Sequence, residues 1–388
     1  MNIYFTSFKE IKMNKVEYRS NRLSHMKLLK ILSLWMFIGT ASYGQSTPVF
    51  TSGQEGYKSF RIPAIISTHS DTLLAFCEGR VNGLSDTGNI DMVMKRSDDG
   101  GKTWSKLEVL WNDESNVCGN PCPVVLESGE ILLLMTWNHG SEHEGHIKSG
   151  TSKHGGRVPY VMSSKDNGKT WSKPRDISVM ADKDSWGWYA TGPGNAIQMQ
   201  HGKYKGRIVV PCADSDLKNH YDAHAIYSDD DGKTWKYSGQ VGAGANESCI
   251  LELGDGTLVL NSRQQTNKSG SRGQAISKDG GVTWINFTNK TPLKDPTCQA
   301  AFISYDHKNT LLFMNPQGRG RSDGIVQLSS DAGKTWKPLL VLPKGFFAYS
   351  SMTVMGNGDI ALIYEASGYR TIPFTLITAD QVKQVLSK

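Results

Sequence analysis

The chain has 388 residues and a formal net charge of +6, yet seven of its Lys/Arg and only two of its Asp/Glu lie in residues 1–44. Without that segment the balance is 36 basic to 35 acidic residues, a net of +1. A chain so nearly neutral offers no electrostatic case for binding nucleic acid or an anionic membrane surface.

The opening segment reads as a leader. Met26 begins MKLLKILSLWMFIGTASYGQ, with Lys27 and Lys30, an apolar run over 31–38, and small residues up to Gly44. This is the pattern of a secretory signal peptide over 26–44, cleaved after Gly44. The apolar run is too short for a membrane span, which takes about 20 residues. No Cys follows the small residues, which argues against a lipid anchor. Residues 1–25 are polar and precede the better start, as an upstream extension would. The expectation is an exported protein (periplasmic, cell-surface or extracellular) whose folded part is 45–388.

From Val49 onward, apolar runs alternate with Gly, Asp, Asn and Ser: IPAII, TLLAFCE, EILLLMTW, RIVVPC, GTLVLNSR, NTLLFMNP and DIALIYEA. Runs of this length bounded by turn residues predict strands. Several follow a Gly-containing turn (ESGE, LGDGT, GNGD), which predicts hairpins. Helical periodicity is nearly absent until a last run over 381–386, capped by Thr378-Ala379-Asp380. No linker or composition shift divides 49–388, so one all-β domain is predicted.

The phrase Ser-x-Asp-x-Gly-x-Thr-Trp recurs five times, from Ser97, Ser164, Ser228, Ser277 and Ser329. Each copy follows a strand-like run and leads into polar chain, so it predicts a turn between strands. Ser and Asp side chains bond nearby backbone N–H groups, Gly supplies positive φ, and Trp anchors the turn. The copies start 49 to 67 residues apart, a period typical of repeat architectures. At about 57 residues per unit the folded part makes six units, a six-bladed β-propeller. The unit without the phrase is expected to be shared. A strand near Val49 and Phe50, or in the 60s, would pair with strands near the C-terminus and leave no open edge.

All six cysteines, Cys77, Cys118, Cys122, Cys212, Cys249 and Cys298, follow the leader. Export permits disulfides, but several sit in strand-like runs, so buried free thiols are expected, with Cys118 and Cys122 the first pair to examine. No CxxC pairs with another, so no cysteine metal site is expected. Residues 138–157 hold His139, His143, His146 and His154. They form either a metal site or, as expected here, a polar loop of the kind that rims active sites.

The five phrases resemble the Asp-box of the sialidases, or neuraminidases, and of other propellers. That motif argues for fold and only weakly for function, so chemistry must come from other residues. Phe60-Arg61-Ile62-Pro63 puts an Arg in an apolar stretch, where burial demands an anionic partner; a structural ion pair would satisfy it as well as a function. FRIP shortly before the first Asp-box is similar to a sialidase signature whose Arg grips the substrate carboxylate. The resemblance covers essentially the whole chain after the leader, and it implies further roles residue by residue.

Glu78-Gly79-Arg80, followed by Asn82-Gly83-Leu84-Ser85-Asp86, resembles the family's loop carrying the acid/base aspartate. This implies that role for Asp86, makes Arg80 a further binding arginine, and makes Glu78 a carboxylate orienting a neighbouring arginine. Asp91 competes with Asp86, but opens a strand into the first Asp-box. Glu247 and Arg263, across one hairpin, resemble the family's glutamate–arginine pair: the base partner of the nucleophile and a second carboxylate-binding arginine. Arg321 fits the third arginine, with Arg319 two residues away as the alternative. Tyr349, in FFAYSSMTVM, matches the Tyr-Ser element and would be the nucleophile. Trp186 and Trp188 resemble a stretch of bacterial members and either contact sugar or pack between blades.

Sialic acid carries its carboxylate on the anomeric carbon itself. Three arginines hold such a group with directed, charge-assisted donors that lysine does not reproduce. The same carboxylate would repel an Asp or Glu nucleophile. A neutral Tyr avoids that repulsion while a Glu takes its proton, and sialidases with a Tyr nucleophile are a known exception to the two-carboxylate glycosidase scheme. The resemblance implies an exo-α-sialidase acting with retention on sialylated glycans, glycoproteins or glycolipids, with no metal or organic cofactor required. A trans-sialidase and a non-catalytic sialic-acid-binding propeller stay open as alternatives.

Overall fold

The computed structural model describes residues 46–242, 244–266 and 269–387; the leader expected over 1–44 lies outside them. The regular structure of the described residues is almost all β and forms five sheets, antiparallel but for one bridge, in a propeller-like arrangement. Four sheets hold four or five strands each, and one holds eight. The eight-stranded sheet has a first half, led by Ser59–Ser67, and a second half, led by Val117–Val125. A single parallel bridge, Ile90 to Val117, joins the halves.

The leading strands are buried along nearly their whole length, as in Ser59–Ser67 and Val117–Val125. Apolar side chains leave both faces of the sheets and fill the spaces between neighbours. Ala64, Phe76 and Met92 of the first half meet Cys118, Leu133 and Met135 of the second. Phe50 and Phe60 meet Ile363 and Phe374, so the chain's two ends share one core. The expected closure is present. Strand Thr47–Thr51 pairs antiparallel with Thr371–Ile377 in the sheet led by Phe347–Val354, which covers an edge that would otherwise stay open.

All five Asp-boxes sit between the third and last strands of their groups and share one bonding scheme. The Ser Oγ accepts the Gly N–H at 2.8–2.9 Å and donates to the Asp carboxylate. The same carboxylate accepts the Thr N–H at 2.9 Å and the Thr hydroxyl at 2.6–2.7 Å. The Gly of each box has φ between 78° and 85°, as at Gly168 and Gly281, a conformation costly for other residues. Two of the Trp rings pack outside their own group: Trp104 meets Phe374 of the closing sheet edge-on at 5.6 Å, and Trp171 meets Phe76 in the other half of the eight-stranded sheet at 5.8 Å.

The six cysteines are buried free thiols. Cys118 faces the core between the halves of the eight-stranded sheet, whereas Cys122 faces the next sheet on, so the two thiols point to opposite sides. The histidine-rich segment holds a short helix, Glu144–Lys148, that periodicity did not predict. His139 stacks on His154 at 3.9 Å, and His154 bonds Glu142; no group of three or more ligand-type residues arranged to hold a metal ion occurs among the described residues. The last helix is Ala379–Leu386, two residues longer than expected, with Thr378 and Gln381 forming a capping box.

Candidate active site

The leading strands of the sheets converge on one end of the central axis, and there their pairing slips. The ladder to the second strand breaks register between Arg61 and Ala64, Gly119 and Cys122, Ala245 and Ser248, and Phe347 and Ser350. A similar slip lies between Trp186 and Tyr189. A bulge leaves an extra residue unpaired and re-aims its side chain. Asn120, Trp188, Glu247 and Tyr349 lie within these slips and Arg61, still paired with Glu78, stands at the edge of one; all five line one cavity of about 180 Å³. Two bulge residues, Ile62 and Asn120, have positive φ of 59° and 55°; for a β-branched residue such as Ile62 this is strained backbone.

Tyr349 is 5% exposed, and its hydroxyl donates to Glu247, whose oxygens lie 2.6 and 2.7 Å away. Arg263 Nη1 donates to Glu247 Oε2 at 2.7 Å and to the Tyr349 hydroxyl at 2.9 Å. Burial, and then the Glu247 charge, push the Tyr349 phenol well above its ordinary value, against the opposing pull of Arg263 and Arg321. The phenol is therefore neutral, with its proton directed at Glu247.

Three guanidinium groups surround this pair. Arg61 Nε donates to Glu365 Oε1 at 2.6 Å, and its head lies 4.3 Å over the Tyr369 ring. Arg321 donates to the Tyr369 hydroxyl, stands 5.1 Å over the Tyr349 ring, and pairs with no carboxylate among the described residues. Arg263 keeps its Nε buried without a partner. All three guanidinium groups line one cavity, and cations grouped in this way can receive a carboxylate through charge-assisted hydrogen bonds. Arg319 is exposed and outside the cavity.

On the rim, Arg80 ties the loop together. Its Nη1 donates to Leu84 O at 2.6 Å, its Nε to Glu78 at 2.9 Å, and its Nη2 meets Asp86 Oδ1 at 2.7 Å. The Asp86 side chain stays 68% exposed. Surrounding protein works to raise its pKa, but the charges of Arg80, Arg61 and Arg157 outweigh this and hold it below the usual carboxylate value. Asp91 lies elsewhere, bonded to the Tyr57 hydroxyl at 2.6 Å and to Asn112 at 2.7 Å. Gly119 is required for close approach: a Cβ there would stand 2.3 Å from Glu78 Oε1.

Trp188 lines the cavity, whereas Trp186 is buried beside Tyr189 and His224 in the core of the next sheet. Sequence reasoning missed Glu365, Glu144 and Arg157. Glu365 is fully buried and binds Arg61 and the backbone N–H groups of Ile62 and Tyr349. Its signal was a Glu ending the apolar run IALIYEA, the reciprocal of Arg61 in FRIP.

Residues 71–362 match the BNR repeat-like domain family. The chain is 32% identical over 348 residues to a sialidase of Clostridium perfringens, covering 80% of this chain and 87% of that protein. The chain belongs to the sialidase family. A sialidase of Micromonospora viridifaciens is 31% identical over 341 residues, 84% of this chain, but the match spans only 53% of that longer protein. The solved Hadza microbial sialidase Hz136 superposes with a TM-score of 0.78 at 28% identity, over 87% of this chain and 69% of that one.

Proposed function

We propose that this sialidase-family chain is an exported exo-α-sialidase that removes terminal sialic acids from glycans, glycoproteins or glycolipids with retention. The observation that carries the reading is the Tyr349–Glu247 hydrogen bond set among Arg61, Arg263 and Arg321. The three arginines grip the carboxylate on the anomeric carbon. Glu247 takes the phenolic proton as Tyr349 Oη attacks that carbon, forming a glycosyl–tyrosine bond as the bond to the aglycone oxygen breaks. Asp86 gives its proton to the departing oxygen, then takes one from the water that displaces the tyrosine. Two displacements return the starting configuration.

The two halves of the eight-stranded sheet, each a four-stranded meander joined by one bridge, support counting them as separate blades, six in all. Export rests on the signal pattern of 26–44, with 45–388 as the catalytic propeller.

The test is release of fluorophore from a 4-methylumbelliferyl α-sialoside by wild type and Tyr349→Phe. Turnover by wild type and its loss in the variant are expected. A folded wild type inactive on this and on natural sialosides would overturn the reading. Adding a sialic-acid acceptor such as lactose separates hydrolysis from transfer.

A further inference from the structure

Two of the three arginines have one side chain in common. Tyr369 lies in the turn between strands Ile360–Ala366 and Thr371–Ile377. The Arg61 guanidinium stands 4.3 Å over its ring, and Arg321 Nη1 donates to its hydroxyl. That hydroxyl is the one hydrogen-bond partner of the Arg321 guanidinium among the described residues. Arg61 and Arg263 each have a carboxylate partner, Glu365 and Glu247; Arg321 has Tyr369 in that place. Ordering an arginine costs rotamer entropy, so a single bond holds it only as firmly as the partner is fixed.

Tyr369 is fixed from several sides. Ser367, Gly368 and Tyr369 have φ of 55°, 68° and 66°. Glycine takes such angles freely, whereas a bulky residue there is strained. The surrounding chain holds the turn in that shape. Ser52 Oγ donates to Tyr369 O at 2.8 Å and Ser52 N to Arg370 O at 2.9 Å, while Arg370 Nε donates to Ser367 O at 3.0 Å. The same Ser52 Oγ accepts the N–H of Phe60, next to Arg61, at 3.4 Å. The Phe346 ring meets Tyr369 edge-on at 4.5 Å, and the Phe346 backbone bridges to Ser322, next to Arg321. Tyr369 is thus tied to the chain beside both arginines. Strain held in this way is offset by what the side chain touches, and here that is two guanidiniums.

We propose that Tyr369 is a positioning residue which sets the spacing of Arg61 and Arg321, its ring seating the first and its hydroxyl the second, and thereby the grip on the substrate carboxylate. Tyr369 does not line the cavity, so it acts through the arginines. The proposal rests on the sialidase reading above.

The test measures, by calorimetry, dissociation constants of the didehydro-deoxy analogue of sialic acid and of its methyl ester for wild type, Tyr369→Phe and Tyr369→Leu. The ester lacks the charge that the arginines bind, and the ratio of the two constants does not depend on the fraction folded. Both variants keep the backbone strain, and Tyr369→Phe keeps the ring over Arg61. Wild type should favour the acid. Tyr369→Phe should cut that preference by about tenfold and Tyr369→Leu by more, with KM on a 4-methylumbelliferyl α-sialoside rising more than kcat falls. A tyrosine with a purely structural role would change stability and leave the ratio alone. A preference that Tyr369→Phe leaves unmoved, or a loss confined to kcat, would therefore overturn the proposal. A wild type that binds acid and ester alike would overturn the carboxylate reading of the three arginines, and the proposal with it.

Discussion

The Tyr349 hydroxyl lies 2.6 and 2.7 Å from the two oxygens of Glu247, so one carboxylate receives the whole of the phenol's hydrogen bonding as donor. Glu247→Gln keeps the shape and removes the base. We expect kcat to fall by about 10²- to 10⁴-fold while binding of free sialic acid, measured by calorimetry, changes little. Near wild-type turnover would exclude Glu247 as the proton acceptor.

Asp86 predicts a dependence on leaving group and pH. The surrounding protein raises its pKa, and Arg80, then Arg61, lower it further, so in the free protein it ionises below its ordinary value near 4. A general acid must carry its proton, so kcat/KM on unactivated sialosides should fall as pH rises from the acid range. Asp86→Asn should lose far more activity on natural glycans than on aryl sialosides, whose leaving groups need little protonation. Equal losses on both would remove Asp86 from the acid role.

Glu365 joins Arg61 to the backbone of Tyr349. Glu365→Gln leaves Arg61 buried without its counter-charge, and breaking such a pair costs about 3–5 kcal/mol. Thermal denaturation should show a lower midpoint, and KM should rise as Arg61 loses its anchor. A variant with unchanged midpoint and KM would show that Arg61 is held by its stacking on Tyr369 instead.

The Asp-box carboxyls give an acid limit to stability. Asp99, Asp166 and Asp331 are lowered to about 2 by the hydroxyl and N–H of the threonine four residues on. Unfolded, they would titrate near 4. Their contribution is therefore complete above about pH 4 and is lost as pH falls through 2. Melting temperature should drop steeply over that window. Asp331→Asn should melt lower at neutral pH but show a shallower acid fall; an unchanged acid slope would count against the assignment.

Much of this was legible in the chain, for definite physical reasons. An Asp-box is a local object whose hydrogen bonds span four residues, so its sequence states its structure. Arg61, Glu247 and Tyr349 were found through local motifs around them. Glu365 and Arg157 were not, because their meaning lies in partners 304 and 37 residues away. The bulges that aim Asn120 and Trp188 leave the apolar pattern of their strands unchanged. They become visible only when two strands are paired.

The strand Thr47–Thr51 has its partner in Thr371–Ile377. Arg61 likewise waits for Glu365, more than three hundred residues downstream. During synthesis the earliest part of the domain must remain unsealed until the last strand leaves the ribosome. Pairing of the first strand and seating of Arg61 are thus both late events, and a nascent chain ending before Glu365 cannot yet hold Arg61 in place.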